Sequence, residues 1–405
     1  MSSATQTSPS GATTSEVRHA FPGLDGIRGL AAAAVLLTHV AFATGATSEG
    51  MFGALLSRLD FGVALFFLLS GFLLARPWFV HAAGLGGRVS ARVYAVRRVA
   101  RILPLYWLVL AIAIVAIPAN RGISVEHIAL NASLLQIYPP DALVHGMTQT
   151  WSLATEASFY LALPIIAPVI ARVCRSRAGW APSRGVLLLA MGVLAGLGFV
   201  ALVRWPGSPL PSQAGFWLPY NVAWFCLGML LALLQVATSA GGLDRARRAL
   251  MPIAQHLGTS WALAVGAYLL AATPLAGPRA FEANVEPLAA VCKSALYGLS
   301  AFFLLLPMIL VPLGSGPVRA AFESRVARWF GTTSYGVFLW HLIILEGVMW
   351  VLRIEPFTGG FLIVAPLTYA VTLLLSDITY RVLEHPVMRA ALRVRPKEHM
   401  PRPAP

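Results

Sequence analysis

Ten apolar runs, most of them about as long as a bilayer's hydrocarbon core is thick, leave this chain few folds to choose from. They fall at 24–43, 60–79, 102–118, 150–171, 185–203, 216–237, 259–273, 295–313, 332–352 and 361–380. About 20 apolar residues in a helix cross such a core, and a chain inside lipid must satisfy its own backbone hydrogen bonds, which a helix does. Only 11% of the 405 residues are charged and 58% are hydrophobic, whereas a soluble domain carries about 25% charged residues. The expected fold is therefore all-α: a polytopic membrane protein of about ten transmembrane helices, with residues 21–390 as one membrane domain. Residues 1–20, rich in Ser, Thr, Gly and Ala, read as a disordered tail, and 391–405 as a basic one.

The formal net charge of +14 would fit nucleic acid if it were clustered on a soluble face. Instead it alternates between connections. Arg88, Arg92, Arg97, Arg98 and Arg101 precede the third span, Arg172, Arg175, Arg177 and Arg184 follow the fourth, and further groups lie at 245–248, 319–328 and beyond Arg381. The intervening connections hold only Arg58, Arg121, Arg204, Arg279, Lys293 and Arg353. Arginine-rich short loops mark the cytoplasmic side, so both termini are expected in the cytoplasm, with the lipid bilayer as partner and no nucleic acid. Lysine occurs only at 293 and 397 and alanine is abundant, a coding bias of high-GC bacteria; a multi-pass protein of the bacterial inner (plasma) membrane is the expectation. A cleaved signal ending at AFA, 41–43, is the weaker reading, because Arg18 alone supplies a basic leader. Cys174, Cys226 and Cys292 lie far apart, with neither disulfide nor metal-ligand spacing; no metal and no bound cofactor are expected.

Ionisable residues inside the spans are costly and mark pathways or paired groups. The first span holds Arg28 and His39, ten residues apart between them, or about 16 Å along a helix at about 1.5 Å per residue. The same ruler places His39 roughly 22 Å above the inner boundary, with Glu156 on the fourth span and Glu346 on the ninth at roughly 21 Å. One histidine and two carboxylates are thus expected at one depth, as around a common cavity. Near the inner boundary, Arg28 and Asp377 both fall at about 6 Å, beside Arg97, Arg98 and Arg101. Arg98 and Arg101, three apart, share a helix face, and guanidinium forks suit phosphate. A ligand with phosphates at one end and a reactive group some 15–20 Å away, by the same rise per residue, could bridge both levels; acyl-coenzyme A has that shape.

Six stretches then become familiar together: LDGIRGLAAAAVLLTH (24–39), FGVALFFLLSGFLL (61–74), RRVARILPLYW (97–107), TWSLATEASFY (150–160), SYGVFLWH (334–341) and YRVLEHP (380–386). In this order the chain resembles the membrane-bound acyltransferase 3 family, bacterial integral-membrane O-acyltransferases, over about residues 21–390. The resemblance implies an essential Arg28–His39 pair, an arginine pair at Arg98 and Arg101, supporting residues Trp151, Ser152 and Glu156, and a later block with Tyr335 and His341. It also implies acyl-CoA as co-substrate and the stand-alone type without a fused hydrolase-like domain.

Acyl transfer to a hydroxyl needs a base and a group that holds the developing oxyanion. His39 is the expected base, oriented by Glu156 or Glu346. Arg28 would hold the donor or pair with Asp377, and Arg97, Arg98 and Arg101 would bind CoA phosphates. A covalent acyl-histidine stays open as the alternative mechanism. The expected acceptor is a hydroxylated glycan or glycolipid of the cell envelope, with a small natural product such as a macrolide as the alternative. His341 reads equally as a structural hydrogen-bonding residue, and Ser70 as a small residue for helix packing. Two other classes compete: a proton-coupled transporter, which should show inverted repeats, and a lipid-linked-sugar glycosyltransferase using Glu49 or Asp60. Neither accounts for the placing of His39 with Arg98 and Arg101.

Overall fold

In the computed structural model the chain is described over residues 21, 23–48, 50–176, 179–279, 285–311 and 316–394. The tail at 1–20, Glu49 and most of the basic tail lie outside these. Among the described residues the fold is almost wholly helical: α1 (Gly23–Ala43), α2 (Gly50–Ser57), α3 (Phe61–Ala82), α4 (Ala91–Ala116), α5 (Val125–Ala132), α6 (Trp151–Val173), α7 (Pro182–Arg204), α8 (Leu218–Ala240), α9 (Asp244–Gln255), α10 (Leu257–Ala271), α11 (Pro287–Leu310), α12 (Pro317–Phe322), α13 (Arg325–Leu352), α14 (Phe361–Thr379) and α15 (His385–Leu392). The single exception is a two-residue antiparallel pairing, Arg175–Ser176 with Gly179–Trp180. Nine described helical segments are long and apolar enough to cross a membrane, and α10, with 15 residues, is a shorter apolar one. This is the helical, multi-pass membrane architecture expected from the apolar runs; the seventh run forms a helix shorter than about 20 residues.

Two tight helix pairs hold the bundle together. Helices α3 and α8 pack closely, as do α1 and α13, and glycine makes both approaches possible. A Cβ built on Gly228 of α8 would lie 2.0 Å from the Leu68 carbonyl, and one on Gly331 of α13 would lie 2.3 Å from the Asp25 carbonyl. Lipid supplies no hydrophobic drive between helices, so backbone proximity and dispersion contacts do that work. A core of Phe67, Phe72, Phe159 and Phe225 fills the space between α3, α6 and α8, and the stacked rings of Phe67, Phe225 and Phe159 run across it.

The connection between α4 and α6 folds into the bundle at its end. Met147, Gln149 and Thr150 are buried, and Gln149 donates from Nε2 to the carbonyl of Leu339 at 3.0 Å, halfway along α13. Helix α6 therefore begins inside the protein. At the other end of the chain α14 runs into one π-helical turn, Tyr380–Glu384, before α15. That turn redirects α15 across the N-terminal half of α4.

Candidate active site

The arginines come together because two helices present them at one end of the bundle. Helix α4, capped by Ser90 accepting from the Val93 amide, carries Arg97, Arg98 and Arg101. Helix α1, held against α13 by the Gly331 contact, carries Arg28. All four line a cavity of about 240 Å³ whose deeper part holds Ser70, Glu156 and Tyr160. Its walls are otherwise largely apolar, with Phe67, Leu73 and Ile102 among them, while Met388 and Leu392 of α15 stand beside the arginines.

Each arginine is held differently. Arg101, 9% exposed, faces the buried carboxylate of Glu384 at 3.5 Å and lies over the Tyr335 ring at 5.7 Å. Tyr335 is fixed in turn by donating its hydroxyl to the Ile102 carbonyl at 2.7 Å. Arg98 lies 5.9 Å over the Tyr160 ring. Arg28 is within electrostatic reach of Asp25, Arg101 and Glu156. Buried nitrogens Nε of Arg28, Nε of Arg98 and Nη2 of Arg101 have no hydrogen-bond partner among the described residues. A buried donor without an acceptor is costly, and three such donors on cationic groups around one cavity suit anionic oxygens such as phosphate.

In the same cavity, the Ser70 hydroxyl donates to the Glu156 carboxylate across α3 and α6. Ser70 is thus a lining residue with a polar partner, not only a small residue for packing. The sequence signal for it is faint: one serine in an otherwise apolar span. Glu384 and Tyr160, which stand inside YRVLEHP and TWSLATEASFY, carry no separate signal in the sequence.

His39 has a different companion from the carboxylates expected beside it. Its ring centroid lies 5.0 Å from that of His341 on α13. Its Nδ1 is 2.7 Å from the Val35 carbonyl, and Nδ1 of His341 is 2.8 Å from that of Phe338. Neither histidine lines the cavity; Phe338 does, and its ring lies 6.3 Å from His341. The two polar sets are therefore stacked along the bundle, with the arginine cavity below Phe338 and the imidazole pair beyond it.

Glu156 stands in the cavity with Arg28, not at the level of His39, because the connection preceding α6 is buried. A depth ruler started at residue 150 assumes that the helix begins at the bilayer surface. Glu346 is exposed on α13, five residues past His341 and hence on another face of the helix, and is not brought to His39. Asp377 is not brought to Arg28: it accepts from Nε1 of Trp329 at 2.7 Å and pairs with Arg381 at 2.7 Å. Trp151 packs its ring against Phe216, and Ser152, which lines the cavity, donates to the Gln149 carbonyl at 3.0 Å. Asp60 is engaged by Lys293 at 2.8 Å and by the Tyr297 hydroxyl.

The arrangement is a membrane-type helical bundle with an arginine-lined cavity, and comparison with known proteins gives its family. The chain matches the acyltransferase 3 family, described as an acyltransferase domain, over residues 21–381, and it belongs to that family. It is 24% identical to the peptidoglycan O-acetyltransferase OatA of Listeria monocytogenes, over 93% of this chain and 57% of that protein. It is 31% identical to acyltransferase MdmB of Streptomyces mycarofaciens over 53% of this chain and 57% of that one. The putative peptidoglycan O-acetyltransferase YrhL of Bacillus subtilis is 24% identical over 92% and 56% respectively. The chain thus spans a little over half the length of these relatives. No solved structure matches significantly. Family and relatives support an O-acyltransferase.

Proposed function

We propose that this protein transfers an acyl group, acetyl or another short one, from acyl-CoA to a hydroxyl of a cell-envelope carbohydrate or glycolipid. The observation that carries this reading is the arginine-lined cavity ending at Ser70 and Glu156, with the His39–His341 pair beyond Phe338. Acyl-CoA fits its chemistry: Arg97, Arg98 and Arg101 take the phosphates, and the apolar walls take the pantetheine arm. Arg28, cationic and in the same cavity, holds the donor. His39 takes the proton from the acceptor hydroxyl. The relatives named as peptidoglycan O-acetyltransferases support a glycan acceptor. Arginine asymmetry supports a bacterial plasma membrane setting with the arginine-lined end in the cytoplasm.

The test is turnover in nanodiscs with radiolabelled acetyl-CoA and a solubilised glycan acceptor. Wild-type protein is expected to release CoA and label the acceptor, and His39→Ala to do neither while keeping its detergent elution profile. CoA release by His39→Ala at the wild-type rate would remove His39 from the chemistry. Label crossing the membrane of proteoliposomes with no CoA released would replace the enzyme by a transporter.

A further inference from the structure

A carbonyl oxygen can only accept, so the nitrogen at hydrogen-bond distance from it must carry the proton. Nδ1 of His39 faces the Val35 carbonyl at 2.7 Å, and Nδ1 of His341 faces those of Phe338 and Val337 at 2.8 and 3.1 Å. In the neutral rings, Nε2 is then the lone-pair nitrogen of both. Nε2 of His341 is buried and has no hydrogen-bond partner among the described residues. It sits on a residue 1% exposed, in a ring 5.0 Å from His39. Asp60 also acts on His39 through its field and is itself engaged by Lys293 and Tyr297.

We propose that His341 is a positioning residue for the base: its Nε2 shares the proton that His39 removes from the acceptor. This rests on the acyltransferase reading and deepens it. The acceptor O–H bond breaks and its proton goes to Nε2 of His39. The oxygen's electron pair forms the bond to the acyl carbon, and the C–S bond of the thioester breaks. The proton, held between the two imidazoles, then passes to the departing thiolate. A lone imidazolium in an apolar bundle is costly; a second imidazole accepting from it spreads the charge without adding a carboxylate.

Side-chain amides separate this role from packing. In His341→Asn the amide NH₂ stands near Nδ1, keeping the bond to the Phe338 carbonyl but supplying nothing at Nε2. In His341→Gln the amide reaches the Nε2 position, where its oxygen accepts from His39 but cannot take up a proton. We expect Asn to lower kcat by about 10²-fold, within the range of general acid–base contributions, with the donor KM within about twofold by the rule for groups acting only in the transition state. Gln should recover part of the loss. Wild-type kcat in His341→Asn, or a loss that falls on KM, overturns the proposal. Nitrogen-15 spectra of histidine-labelled protein in nanodiscs give a readout independent of turnover. At neutral pH both rings should carry the proton on Nδ1; a His341 proton on Nε2 overturns the proposal even if acyl transfer is confirmed. Wild-type protein without acyl transfer would count against the underlying reading, and the spectra would still decide the tautomer.

Discussion

The hydroxyl of Ser70 on α3 donates to the carboxylate of Glu156 on α6, whose charge acts on Arg28 of α1 in the same cavity. Three spans far apart in the chain thus bring a cation, an anion and a hydroxyl to one cavity. Arg28 and Glu156 balance each other there, so the charge of Glu156 bears on how firmly Arg28 is held for the donor.

Glu156→Gln should therefore lower kcat more than Ser70→Ala does. The first removes the charge opposite Arg28, while the second leaves it. A loss of about 10²-fold is expected for Glu156→Gln, read as CoA release at saturating donor. Equal effects of the two variants would mean that the hydrogen bond, not the charge, is what counts.

Arg98→Gln should raise the donor KM by about tenfold, because a charge-assisted hydrogen bond is worth about 1.5–3 kcal/mol and about 1.4 kcal/mol is a factor of ten. Acetyl-pantetheine, which lacks the nucleotide phosphates, provides the check. With that truncated donor wild type and variant should behave alike. A KM increase that persists there would assign Arg98 to the thioester end of the cavity.

Glu346→Gln should leave turnover within about twofold, as surface changes away from a site usually do. The carboxylate is exposed on α13, on another face from His341. A large loss would place an acceptor contact on that face.

Gly331→Ala should destabilise the bundle by about 1–3 kcal/mol, the usual cost of overpacking a close contact. The new methyl would meet the Asp25 carbonyl carbon at 2.6 Å as well as its oxygen at 2.3 Å. Gly347→Ala is the control on the same helix, with nothing within 4 Å of the added atom. Thermal unfolding in detergent should lower the midpoint of the first and leave or raise that of the second.

Much of this arrangement was legible beforehand because charges in apolar helices are conspicuous. Arg28, Arg98 and Arg101 could be placed together from spacing alone, and they do share a cavity. The pairing of Glu156 was not legible, since a ruler along the chain cannot know that residues 144–150 turn inward before α6 begins. Asp377 illustrates the same limit. A carboxylate at the right height can be taken by a neighbour on its own helix, here Arg381, and by an indole from α13. His341 ends the stretch SYGVFLWH, but only tertiary packing puts its ring beside that of His39.

The inward connection between α4 and α6 has one more consequence. Asn131 ties it to the Ala142 and His127 carbonyls, Asn120 to those of Ala113 and His145, and Trp217 to that of Ile137. Asn120 and Asn131 are buried, and a buried polar group left unpaired is costly, so releasing the segment would strand several polar groups together. It is tied like masonry rather than hung like a door.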